Sequence, residues 1–148
     1  MSQPNRESAR DGLATLLTTQ LITTDAIVQA VYNYRKGDLL GQSPVVCVSS
    51  AGSSRDSISF DGVLENIAFL TVHVFVVYAA DGWTEANAED RLDLIERTIA
   101  DVIRANGGET SYWLDLGFNG DSVRNDINLG GVEYIQEAIP IAAQLAYG

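Results

Sequence analysis

The stretch that decides the fold is Ile67–Tyr78, IAFLTVHVFVVY, which runs through AADGWT into EANAEDRLDLIERTIADVIRANG, ending at Gly107. Both alternating sets of the first segment are mostly apolar: Ala68, Leu70, Val72, Val74, Val76 and Tyr78 on one side; Ile67, Phe69, Thr71, His73, Phe75 and Val77 on the other. A strand of this kind needs cover on both faces. The second segment reads as an amphipathic helix. Thr84 is placed as its N-cap and Glu85 sits in the first turn, where a negative charge is favoured. Leu92, Ile95, Ile99, Val102 and Ile103 form its apolar stripe, and Arg104 and Gly107 stand where a helix C-terminus favours them. The apolar second face of the strand is expected to lie under the first helix or a neighbouring subunit.

Elements on either side extend this unit. Ala9, Leu13, Leu16 and Leu17 recur at helical spacing, so Arg6–Leu21 reads as a first helix, weakened at Gly12 and ending near the threonine pairs Thr18–Thr19 and Thr23–Thr24. Residues 1–5 are polar and expected to fray. AIVQAVYNY (Ala26–Tyr34) and the short apolar run Val45–Ser50 read as strands around the RKGD turn. Ala51–Gly62 is the most loop-like segment, expected as a long hairpin tip or projecting arm. Further on, SYWLDLGF reads as a strand, Asn119–Asp121 and Leu129–Gly131 as turns, and VEYIQEAIPIAAQLAY as a long last strand. Pro140 puts that strand at an edge or on a bulge, since proline cannot donate to a ladder. The fold class is α+β: residues 1–148 form a single two-layer domain, a mainly antiparallel or mixed sheet packed by two main helices.

Composition bounds the function. The chain has 148 residues, enough for one real core. No apolar run reaches membrane-helix length, and MSQPNRESAR lacks the apolar centre of a signal peptide. Cys47 is the single cysteine, which excludes an internal disulfide. With 20 acidic against 9 basic residues, the net charge of −11 disfavours binding to DNA phosphates. The acidic residues are spread over all segments, as on a solvated surface.

No residue set converges on chemistry. His73, the only histidine, has no metal-ligating companion and reads as a hydrogen-bonded strand residue. Gly120-Asp121-Ser122 looks like a hydrolase nucleophile block, but no histidine follows it. Asp115, Asp121, Asn125, Asp126 and Asn128 miss the register of a calcium loop and read as a solvated turn. Gly52-Ser53-Ser54-Arg55 lacks the lysine of a phosphate loop and reads as a flexible tip. Cys47 reads as a buried inert thiol. Tyr32, Tyr34, Trp83, Tyr112 and Trp113 read mostly as core edge, with some as interface anchors. These readings imply no catalytic residue, no metal and no cofactor.

The order of elements resembles the tail terminator (minor tail or tail completion) family of long-tailed bacteriophages and phage-like particles. The likeness spans the helix near Arg6–Leu21, AIVQAVYNYRKGDLLGQSPVVCVSS, the polar loop, the apolar strand before DGWTEANAEDRLDLIERTIADVI, and the closing IQEAIPIAAQLAYG. It implies a virion protein, assembled in a bacterial cytoplasm, that forms a hexameric ring on the head-proximal end of the tail tube. Its partners would be copies of itself, the major tail tube protein and a neck or head–tail connector protein. DNA would pass without sequence recognition, kept mobile by a negative lumen, and no membrane is involved. The expected contact residues are Gly37, Asp38, Leu39 and Leu40 in one turn, Ser53, Ser54, Arg55 and Phe60 in the polar segment, and Trp83 and Pro140. Alternatives are another head–tail joining or neck protein, or an acidic non-phage module that mimics DNA charge. Such mimicry calls for acids aligned on one exposed helix face, whereas here they alternate with Arg91, Arg97 and Arg104.

Overall fold

The computed structural model describes residues 4–57, 64–78 and 82–146. The elements are α1 (Arg6–Thr18), a π-helical turn (Thr19–Thr24), β1 (Ala30–Tyr32), β2 (Val45–Ser57), β3 (Leu64–Val77), α2 (Glu85–Ala105), β4 (Asp115–Phe118), β5 (Val123–Leu129) and β6 (Val132–Ala146). They form an α+β domain in which both helices lie on one face of a mixed sheet. Strand order is β1-β2-β3-β6-β4, with β5 also on the outer side of β6; only the β1–β2 pair is parallel.

Strand β3 pairs with β2 on one side and β6 on the other. Its even residues Ala68 to Val76 meet the helices in one buried cluster with Val46, Val48, Ile139, Ile141 and Leu145. From α2 that cluster receives Ala88 together with the expected stripe Leu92, Ile95, Ile99, Val102 and Ile103. Burying each large aliphatic here contributes about 1.5–3 kcal/mol. From α1 it receives Ala9, Leu13 and Leu17. The first helix therefore shares a face with α2, and the expectation that it covers the second face of β3 is wrong. At one end that face carries a smaller cluster of Leu39, Val45, Cys47, Phe75, Val77 and Tyr134, closed by the 33–44 connection.

The helix ends show local causes. The Asn5 side chain accepts from the Ser8 N–H while the Ser8 hydroxyl accepts from the Asn5 N–H, a reciprocal cap at the start of α1. Thr15, Thr18 and Thr19 hydroxyls each donate to the carbonyl one turn back. Such back-bonding loosens helices, and here the coil widens into the π-turn that carries Leu21 into the core. Thr84 caps α2 by accepting from the Asn87 N–H. At its far end the cap is Asn106, whose side chain donates to Val102 O; Gly107 instead accepts from the Leu116 N–H.

The strand boundaries differ from the sequence reading for identifiable reasons. The first strand is only Ala30–Tyr32, because Ala26 turns left-handed (φ 53°) after the π-turn. Strand β2 runs on to Ser57 through the segment read as a loop, so the arm is a two-stranded ribbon; its tip, with Phe60, lies outside the described residues. Strand β4 shrinks to Asp115–Phe118 because Trp113 turns inward, fully buried, with its indole N–H donating to Asn106 O. Asn125, Asp126 and Asn128 lie on β5, not in a turn. Gly130 and Gly131, both at positive φ, make the tight β5–β6 turn.

The largest correction concerns Pro140. Strand β6 is interior, paired with β3 through Thr71↔Pro140 without a bulge there. On its other side β5 ends at Ala138 and β4 starts at Ile141, and Pro140 O accepts from the Asn119 N–H. Within a strand, N and C=O of one residue point the same way, so the proline nitrogen faces the gap between β4 and β5. No ladder bond is lost.

Gly12 is also explained: it is buried, and a β-carbon there would overlap the Tyr112 ring. Gly12→Ala should therefore destabilise the protein by roughly 1–3 kcal/mol from overpacking, although alanine gains about 1 kcal/mol in an exposed helix. In a Tyr112→Ala background the same change should become stabilising. Urea unfolding of the four variants checks both signs.

Candidate functional site

The best-equipped side chains for chemistry line up on the second sheet face. His73 Nε2 lies 2.9 Å from Ser49 Oγ and its Nδ1 lies 2.9 Å from Gln136 Nε2. Its ring stacks near Phe75 at 6.1 Å. In outline this is a hydroxyl, an imidazole and an orienting group, but the third member is an amide. An amide cannot stabilise an imidazolium as a carboxylate does. Burial first, then the Arg35 charge, lowers the His73 pKa to about 4. At neutral pH the ring is uncharged and a weak base, which makes it the hydrogen-bonded strand histidine expected from sequence. Beside it Cys47 is buried and its thiol is pushed up by desolvation, disfavouring the reactive thiolate. Ser122 donates to Glu137 at 2.6 Å, so its partner is a carboxylate rather than an imidazole. Among the described residues no three His, Cys, Asp or Glu side chains converge as metal ligands.

The expected contact residues fall in separate places. The 33–44 connection folds over the second face: Arg35 lies 4.6 Å over the Phe75 ring, Tyr134 donates to Gln42 O, and the Val77 N–H donates to Ser43. Leu39 is fully buried there, packed in the smaller core cluster rather than projecting from the turn. Asp38 accepts from the Leu40 N–H and lies against Gly130. Gly37 is exposed, and Leu40, 76% exposed, projects from the turn. Trp83 is half-buried, touching both clusters, with Arg91 over its ring. Pro140 is half-buried on the second face.

Ser53, Ser54 and Arg55 lie on β2, not on a flexible tip. A bulge between Ser50 and Gly52 shifts the register, so Ser50 pairs Leu70 while Ser53 pairs Ala68 and Arg55 pairs Asn66. Even residues of β2 face the helices before the bulge and odd ones after it. Ser53 and Arg55 thereby join Arg6 and Arg10 of α1 in one open groove. Arg6 donates to Ser53 and Arg10 to Ser50, both at 3.1 Å, while Arg10 Nε is buried with no acceptor. Among the described residues, none of these three arginines has a carboxylate within ion-pair distance. Sequence reasoning missed Arg6 and Arg10. Their i, i+4 spacing was the available signal, but the register shift that brings Arg55 to them was not visible.

The far side of the sheet carries the opposite charge. Glu85, Glu89, Asp93 and Glu96 share a stripe of α2, and Glu137 and Asp126 lie beside it on β6 and β5. Arg124 bonds Glu89 at 2.7 Å and has Glu137 and Asp93 near it. The hydrogen bond from Tyr78 to Glu85 raises the tyrosine pKa, with Glu89 and Asp126 adding to it. Burial, then Glu137 and Asp93, raises Glu96 above its usual range. Arg91 does not interrupt this stripe. It turns away to donate to Ile27 O.

No known family matches the sequence, and no curated protein matches it. Solved structures do match in shape. One is a chain titled "Virion of native gene transfer agent (GTA) particle", with a TM-score of 0.57 at 11% identity over 93% of this chain and 94% of that chain. At that identity the likeness is one of fold, and it extends across nearly the whole of both chains.

Because His73 titrates near 4 when folded against 6.5 in a free chain, the unfolded state binds the extra proton between those values. The contribution of the neutral ring is full above pH 6.5 and is lost as pH falls toward 4. Replacing His73 by Gln should flatten the fall in stability between pH 6.5 and 4 relative to the native protein, read as the difference between two urea-midpoint profiles.

Proposed function

We propose that this chain is a structural subunit of a phage-like particle, and specifically a tail terminator. Copies form a ring, hexameric in this reading, on the head-proximal end of the tail tube. The ring ends tube polymerisation and offers its upper surface to a neck or connector protein, while DNA passes through. The observation that carries the reading is the near full-length likeness to a gene transfer agent virion chain, which agrees with the order of elements in the sequence. Three further features support it. The groups best suited to chemistry are an uncharged, fully hydrogen-bonded histidine and an enclosed thiol. One edge of the sheet is the exposed strand β5, and at the other the outer side of β2 beyond Cys47 has no strand against it among the described residues, which suits lateral contacts between copies. A net charge of −11 would keep passing DNA from sticking.

Native mass spectrometry should show a species of six times the 16.0 kDa subunit, alone or when tail tubes are supplied. A stable dimer with no affinity for tubes contradicts the proposal. Deleting the gene from the producing cell should leave tails of abnormal length that lack heads; normal, head-bearing particles contradict it equally.

A further inference from the structure

We infer that copies of this chain join edge to edge through charge: the arginine groove formed by Arg6, Arg10 and Arg55 of one copy receives the acidic stripe around Asp93 and Asp126 of the next. The inference rests on the ring reading above and names the surfaces that would close the ring.

The chain has only nine cationic side chains against twenty acidic ones, yet three of the nine meet in one groove with no acid paired to them among the described residues. Glu7 also lines that groove, but at no ion-pair distance from the arginines. Holding like charges together costs energy unless an anion answers them. The buried Arg10 Nε still lacks an acceptor, and leaving a buried donor unmet is destabilising. An incoming carboxylate would satisfy it.

The acceptors exist on the same molecule, on the opposite flank. Glu89, Asp93 and Glu137 act on one cation, Arg124, while Glu96 lies near Glu137 and Asp93, and Glu85 and Asp126 near Tyr78 beside Glu89. The two patches are separated by β3 and β6, which lie between β2 and β5 in the sheet. Three strand spacings of about 4.8 Å put the two edges about 14 Å apart, so one patch cannot neutralise the other within a subunit. Beyond Cys47 the outer side of β2 has no strand against it among the described residues, and β5 is exposed on its outer side. Two different surfaces that fit each other, on opposite flanks, make a head-to-tail contact, and repetition of that contact gives a ring when the rotation closes. A two-fold contact through either edge alone would bring like patches together.

The test uses exposed positions. One variant carries Arg6→Glu with Arg55→Glu, the other Asp93→Arg with Asp126→Arg, each checked for the native circular-dichroism spectrum and cooperative melting. Association is followed by sedimentation with and without tail tubes. Each variant alone should associate roughly 30-fold or more weakly than the native chain, because both of its patches then carry the same sign. Mixing the two variants should restore assembly, with subunits alternating around an even-numbered ring. Native chains should also associate less at 0.5 M than at 0.05 M salt, as screening predicts.

Each alternative result has a distinct meaning. If the native chain forms rings and both variants do so equally well, the patches are not the interface and the ring reading stands. If each variant fails but the mixture fails too, the two patches do not meet each other, and the inference is wrong while the ring survives. If the native chain stays monomeric with and without tubes, both the inference and the ring reading fall.

Discussion

Everything in this domain depends on β3 being apolar on both sides while hydrogen-bonded along both edges. A strand in that position needs cover on most of its surface, although Ile67, Phe69, Thr71 and His73 on its second face stay partly exposed. Its even residues require the two helices, and its odd residues near Phe75 and Val77 require the folded-back 33–44 connection. Its edges require β2 and β6, the two longest remaining strands. The arm formed by β2 and β3 is a continuation of the same pairing beyond the helices.

This accounts for what could be read directly from residues. The stripe Leu92–Ile103, the Thr84 cap and the apolar alternation of Ile67–Tyr78 are local patterns, and local patterns survive folding. What could not be read depended on contacts remote in sequence. The place of α1 beside α2 is set by which face of the sheet is vacant, and an amphipathic stripe does not name its partner. Pro140 was misplaced because proline's missing donor says only that no ladder bond can be made there; the gap between β4 and β5 that removes the need for one is formed elsewhere in the chain. Trp113 shortened β4 because a buried indole with a hydrogen-bond partner outweighs strand propensity.

The site followed the same division. His73 and Cys47 were legible as structural residues, since a lone histidine and a lone cysteine in an apolar strand have few other roles. Leu39 was read as a contact residue because turns are usually exposed, but this turn closes over a sheet face that would otherwise lack cover. The arginine groove was illegible because one extra residue in β2 decides which side of the sheet Arg55 occupies. Net charge alone suggested a uniformly acidic surface; the fold separates it into two flanks of opposite sign.

The gap opposite Pro140 also bears on solubility. An exposed strand edge is a template on which further chains can stack without limit. Here one flank of the sheet is divided between β5 and β4, joined by residues 119–122. Strand β4 is only four residues long, and the seven-residue β5 carries Arg124 and Asp126 along it, so neither offers the long, uncharged edge on which fibrils grow. A proline in the middle of the sheet thus guards an edge it does not belong to, by keeping its neighbour from growing into one continuous strand.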